Sequence, residues 1–401
     1  MRASTKQHQP REFLAHRALA NAALFAVASG CSTFEGLVHD PDASSGGVGG
    51  SESSCRSAQP PRAAGLAGTG SGPDIWLASR SVDFGDRYED GGAPDADATT
   101  LHRRMGFDLD RTCTGQGDAP SCVAPSWAIA DHSDGPGGRD NAIGAFLHQI
   151  AQGQASRDVT LEAESGEAAA IIRIRGYNHT GADNEVEVAW YAGRVRSAEG
   201  TRKHTSVADP PGWEGEDEWI IFDRWLEPLP ARDAGPPDDE HAPIYYDARA
   251  YVTGDNILVA HFREVNLVNG LFEHVVISGQ LVQTSGFWEL RDVTFAGRIR
   301  AKEVLAGIPL IDLGDLQLCT TVPGYDALKR IACSYADIHA SPPGDGSEPD
   351  DPSLPCDSLS AGWTFHAVQV RVVGKRGWDE YWVPPCPQDA LTAPDSCDTL
   401  D

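Results

Sequence analysis

Past its first 30 residues the chain has no apolar run of the roughly 20 residues that a membrane-spanning helix needs. It also lacks the short signatures of several enzyme classes. There is no Gly-x-Ser-x-Gly, no His-Glu-x-x-His, no Walker loop and no Gly-x-Gly-x-x-Gly after a strand. Motif grounds for an α/β-hydrolase, a zincin, a P-loop NTPase or a dinucleotide enzyme are therefore missing. No Cys-x-x-Cys pair occurs and no two histidines stand at metal spacing, which argues against zinc. Lysine is scarce, five residues against 27 arginines, as in proteins from GC-rich genomes. No internal repeat is visible.

Acidic residues dominate what is present. The net charge is −27, and it becomes −30 without residues 1–30, which hold four basic residues and one acidic one. Such a field repels nucleic acid and anionic lipid surfaces and favours cations and basic partners. The length suits one large domain or two small ones, with enough apolar content for a core. Paired carboxylates are the tools of a glycan hydrolase. Among 58 acidic residues beyond position 30, however, pairs at catalytic distance arise in any fold, so this alternative gains nothing from them.

The N-terminus has the form of an export signal: Arg2, Lys6, Arg11 and Arg17 precede an apolar stretch, Ala18–Gly30. Ala28-Ser29-Gly30-Cys31 resembles a lipobox, which predicts a lipidated Cys31 after removal of residues 1–30. Acyl chains contribute about 0.8 kcal/mol per buried methylene, so two or three anchor a domain firmly. Ser32 matches the pattern of outer-membrane sorting. Residues 31–73, rich in Gly, Ser and Pro, then read as a flexible tether, and 74–401 as a single β-rich domain. Setting Cys31 aside leaves eight cysteines, an even count that predicts disulfides in an exported chain. Cys113 with Cys122 and Cys386 with Cys397 are the local pairs. Cys319, Cys333 and Cys356 lie close enough for one more, and Cys55 falls in the tether.

Asp74–Ser81 reads as a first strand. Ile143, Phe146, Leu147 and Ile150 mark a helix capped by Asp140 or Asn141 and ended by Gly153. From Asp158 the apolar period becomes two. Strands are predicted around Ile172–Ile174 and Val186–Trp190, and at Trp219–Phe222, Tyr245–Val252, Ile257–Phe262, Val275–Val282, Phe287–Phe295 and Ala367–Val373. Short helices follow at Ile299–Leu305 and around Tyr325–Ala332. Many short strands separated by turns predict a mainly β fold, a β-sandwich or jelly roll, with two or three helices and disulfide staples.

Two constellations stand out. Asp108-Leu109-Asp110, Asp118, Asp134 and Asp140 lie among glycines and cysteines; Asp-x-Asp in extended chain projects both carboxylates to one side. Calcium takes six to eight such oxygens from a flexible loop. The spacing is not that of an EF-hand, and a solvated acidic loop with Asp140 as a helix cap is the plainer alternative. The second constellation is aromatic: Trp213, Trp219 and Trp225 flank an acidic run, and Tyr245 follows. Such rings stack sugars in many sandwiches, although a core role with the acids in a turn explains the same pattern.

The phrases Gly106-Phe107-Asp108-Leu109-Asp110, Asp134-Gly135-Pro136-Gly137-Gly138-Arg139-Asp140-Asn141 and Ala336-Asp337-Ile338 resemble those of a family of uncharacterised exported lipoproteins of myxobacteria and related GC-rich Gram-negative bacteria. The resemblance covers roughly residues 74–375. It implies an envelope lipoprotein and brings no activity, substrate or catalytic residue. The sequence thus predicts a non-enzymatic, lipid-anchored envelope domain that binds a glycan or protein partner, with calcium at the acidic loop as a candidate stabiliser beside the solvated-loop alternative. A glycan hydrolase and a purely structural envelope protein are the alternatives.

Overall fold

The computed structural model describes residues 57–63, 65, 72–87, 100–116, 118–151, 153–179, 181–202, 205–227, 241–267, 270–310, 312–313, 316–317, 319, 324–343, 348–382, 386 and 395–400. Cys31 and Cys55 lie outside these residues, as does most of the predicted tether.

Among the described residues the first strand is β1 (Ile75–Asp83), and helices α1 (Ala142–Ala151) and α2 (Gln154–Ser165) come after it. Strands β2 (Ala169–Arg175) and β3 (Asp183–Val195) follow, with the short ladder of β4 (Ala198–Glu199) and β5 (Ser206–Val207), and then β6 (Glu218–Phe222). A meander comes next: β7 (Tyr245–Val252), β8 (Ile257–Leu267), β9 (Gly270–Thr284) and β10 (Phe287–Arg300). Helix α3 (Ala301–Gly307), the ladder β11 (Asp312–Leu313) and β12 (Leu316–Gln317), and helix α4 (Gly324–Ser334) lead to β13 (Ser358–Gln369), β14 (Arg371–Arg376) and α5 (Trp378–Tyr381).

The sheet is a closed barrel, not the predicted sandwich or jelly roll. Eight strands pair in the order β3, β2, β1, β13, β10, β9, β8, β7, and β7 returns to β3. Closure depends on the length of β3. Its first part pairs with β7 through Asp183–Val252 to Trp190–Tyr245, and its end pairs on the same side with β6 through Gly193–Ile221 to Val195–Trp219. Strands β6 and β14 extend the sheet as a parallel pair outside the barrel.

Alternation along the strands fills the interior. Trp190 meets Phe295 and Phe365 edge-on at 5.8 and 6.1 Å, and Phe295 stacks on Trp363 at 3.7 Å. Each fully buried side chain of this kind contributes about 1.5–3 kcal/mol. The barrel centre is therefore packed side chain rather than a ligand cavity.

Helix α1 is capped by Asn141, whose Oδ1 accepts the Gly144 N–H at 2.9 Å. Phe146 is buried at its centre, and Ile150 is exposed at its end. Helix α2 falls where strand periodicity was expected. Its sequence, QASRDVTLEAES, is too polar to show an apolar stripe. It is held to β1 by polar contacts instead: the Thr160 hydroxyl bonds both the N–H and the carbonyl of Val82, and the Ser156 hydroxyl accepts from the Phe84 N–H. The single predicted strand Ala367–Val373 proves to span the junction of β13 and β14.

Three disulfides have both partners described, and none is the expected local pair. Cys122 bonds Cys356, Cys319 bonds Cys386, and Cys333 bonds Cys397. Cys113 is disulfide-bonded as well, but not to Cys122. Sequence proximity was a poor guide because the folded loops meet across the chain: 234 residues separate Cys122 from Cys356.

Candidate cation centre

The outer face of β10 and β13 carries polar side chains that are nonetheless buried: Ser358, Ser360 and Arg298. What covers them is a layer of loops from residues 102–116, 118–141, 337–343 and 348–357. The contact is close. A Cβ added at Gly362 would stand 2.7 Å from the Gly106 Cα, so loop and strand meet backbone to backbone. Gly106 also has φ 86°, a left-handed conformation that glycine adopts without strain. Arg298 pins the layer from below. Its guanidinium pairs with Asp350 at 2.7 and 3.1 Å and donates to the Leu109 carbonyl at 2.6 Å and to the His339 carbonyl.

This seating gathers three carboxylates from two segments. Asp108 and Asp110 come from the first loop turn, Asp140 from the residue before the α1 cap, and the three are buried. One carboxylate oxygen from each lies within 4.8 Å of the others. The Asp-x-Asp pair therefore does turn both acids to one place. Asp140 does not cap α1; its Oδ2 accepts from the Leu109 N–H at 2.6 Å, which ties the α1 segment to the loop. Asp134 adds a fourth, partly buried carboxylate, with its Oδ2 on the Thr114 N–H at 2.5 Å. Asp118 does not join them. It is exposed, and its Oδ2 accepts from the Cys113 N–H at 3.1 Å.

Sequence reasoning missed the fifth acid. Asp337 lies in the turn after α4, and its oxygens accept from the Ser360 N–H (2.8 Å) and hydroxyl (2.5 Å). The only hint was its place in the phrase Ala336-Asp337-Ile338.

The charges are uncomfortable. Burial pushes the Asp110 carboxyl up to about 7, helped by repulsion from Asp108 and Asp337. Burial together with Asp110 and Asp337 pushes Asp134 up to about 8. Asp140 is raised well above the usual range by burial and by Asp110, Asp134 and Asp337. Asp108 and Asp337 are raised by burial too, opposed in part by hydrogen bonds and by nearby Arg111 and His132 respectively. Most decisive are two atoms: Asp108 and Asp140 are each 2% exposed, and Oδ1 of each accepts no hydrogen bond. A buried, unsatisfied carboxylate oxygen costs several kcal/mol unless it is protonated or meets a cation. Oxygens on opposite sides of a calcium ion, at 2.3–2.6 Å from it, stand up to about 5 Å apart, so the triad fits within one calcium shell.

The aromatic constellation is core. Trp219 and Trp225 are fully buried and Trp213 is 9% exposed, with Trp213 packed on Trp219 at 5.7 Å. None offers a ring face to a sugar. Tyr245 is partly buried on β7, opposite Trp190. A cleft of about 630 Å³ opens elsewhere, beside Arg224, Glu227, Lys375, Trp378 and Trp382. Comparison with known protein families, with characterised proteins and with solved structures finds no match to the chain.

Proposed function

We propose that the chain is an exported, lipid-anchored envelope protein whose barrel carries a loop layer locked by calcium. The observation that carries this is the buried Asp108, Asp110 and Asp140 triad with two unsatisfied oxygens. Calcium suits the set because every donor is a hard oxygen and calcium accepts a flexible shell, where magnesium requires a near-ideal octahedron. The disulfides fit an oxidising compartment. The lipobox at Cys31 and the lipoprotein resemblance support the anchor. Enzymatic hydrolysis of glycans is disfavoured, since the space beside the raised carboxyls is only about 30 Å³, far too small for a sugar ring.

The lock is tested by thermal melts of the full chain, with disulfides formed, in EDTA and in millimolar calcium. A ligand at 100 times its dissociation constant adds about 2.7 kcal/mol. Calcium raises the melt by a few degrees in the wild type and leaves the Asp108→Asn/Asp140→Asn variant unmoved. Equal melts of the wild type in both buffers refute the reading. For a glycan or protein partner, the cleft beside Trp378 and Trp382 is the better place than the buried Trp213 and Trp219. A partner whose affinity survives Trp382→Ala unchanged does not bind there.

A further inference from the structure

We propose that residues 57–61 are a strap that closes the cation centre and positions Asp108, stapled in place by a disulfide between Cys113 and Cys55. This rests on the calcium reading above and names a segment that controls the same site. The segment, Ser57-Ala58-Gln59-Pro60-Pro61, falls in the stretch that the sequence marks as a tether, yet hydrogen bonds hold it at both ends. The Asp108 N–H donates to the Ala58 carbonyl at 2.9 Å, and the Gln59 side-chain amide donates to the Asp108 carbonyl at 2.7 Å. Both backbone polar groups of this triad residue thus bond the strap. The Ala58 N–H donates in turn to the Gly137 carbonyl at 2.7 Å, and the Tyr251 hydroxyl on β7 donates to the Pro61 carbonyl at 2.5 Å. A hydrogen bond from the Ser57 side chain also partly offsets the burial that raises the Asp108 carboxyl.

Elimination and distance identify the staple. Cys113 is disulfide-bonded, and Cys122, Cys319, Cys333, Cys356, Cys386 and Cys397 pair among themselves. Of the nine cysteines only Cys31 and Cys55 remain, both outside the described residues. A lipidated Cys31 has its sulfur in a thioether. Cys55 stands three residues before Ala58, a separation that extended chain spans in at most about 11 Å. Gly137, which anchors Ala58, adjoins Gly138. A Cβ added at Gly138 would stand 3.0 Å from the Cys113 Sγ and 3.1 Å from the Asp108 Cγ. Cys113 therefore lies within reach of a cysteine at position 55, and beside the triad. Calcium and the strap are linked reciprocally: whatever the docked strap adds to calcium affinity, calcium adds to docking of the strap. The centre thereby joins the barrel to the segment that leads toward the proposed anchor.

The test has two parts. The full chain, with disulfides formed, is digested without reduction and its linked peptides are identified by mass spectrometry. A link between Cys55 and Cys113 is expected; Cys113 linked to any other cysteine overturns the stapled strap. Calcium chloride is then titrated calorimetrically into the chelator-stripped wild type and into Ser57→Ala/Gln59→Ala. The variant should bind calcium about tenfold more weakly, within the roughly 5–150-fold range usual for coupled sites. It keeps every cysteine, so its urea midpoint in EDTA should stay that of the wild type. A segment that served stability alone would lower that midpoint and leave the affinity unchanged. Unchanged affinity in the folded variant overturns the strap and leaves the calcium reading intact; no saturable binding by the wild type overturns both. If the double variant does not fold, Gln59→Ala alone replaces it, with a loss of affinity still expected.

Discussion

Asp108 Oδ1 and Asp140 Oδ1 are the atoms at which burial and hydrogen bonding part company. Their neighbours give the ion-free protein a pH dependence of known sign. These carboxyls have folded-state values raised above the unfolded value, so the folded chain binds more protons between the two. Their stabilising contribution is complete below about pH 4. It is lost as pH rises through about 7 for Asp110 and about 8 for Asp134. In EDTA the melting temperature is therefore expected to fall between pH 5 and pH 8 from these groups. Calcium competes with the same protons, so its stabilising effect should be larger at pH 8 than at pH 5. Melts at both pH values, with and without calcium, check this; a calcium effect larger at pH 5 would contradict it. At the same scale, Asp140→Asn removes a buried charge. In EDTA it should melt no lower than the wild type at pH 8, although it loses the response to calcium.

Loops, not strands, make the centre, and what holds them is non-local. Arg298→Ala removes the pin beneath Leu109 and leaves Asp350 buried and unpaired. Breaking a buried pair from one side typically costs about 3–5 kcal/mol, and urea unfolding should show a loss of that size together with weaker calcium binding. Reduction of Cys122–Cys356, which closes a loop of 234 residues, should cost about 5 kcal/mol in chain-entropy terms. A Cys122→Ser chain with an unchanged urea midpoint would show that other contacts hold the layer. The contribution of local sequence is visible here too. Asp108 and Asp110 were legible because Asp-x-Asp is a local pattern with a chemical meaning. Asp337 was not, because nothing in residues 325–338 says that the turn after α4 docks on Ser360. Helix α2 was illegible for a related reason: Ser156 and Thr160 bind it to β1 through hydroxyls, and apolar periodicity is blind to such contacts.

Across the whole molecule, the strands were readable from alternation, whereas closure was not. A sandwich and a barrel share the same inward–outward pattern. The difference lies in the thirteen-residue β3, which pairs with β2 on one side and with both β7 and β6 on the other. Trp190 fills the resulting interior, so Trp190→Ala should cost about 3–5 kcal/mol, read by urea unfolding. A loss below 1 kcal/mol would mean that the interior is less tightly filled than its ring contacts indicate. The packed barrel is thus the base on which the loop layer sits, and on the calcium reading proposed above a cation locks that layer. The most direct check is isothermal titration of calcium chloride into the chelator-stripped full chain at pH 7.5. Saturable binding is predicted, absent in Asp108→Asn/Asp140→Asn. A folded, disulfide-intact wild type that gives no saturable heat and stays calcium-free at millimolar calcium would contradict the account at its centre.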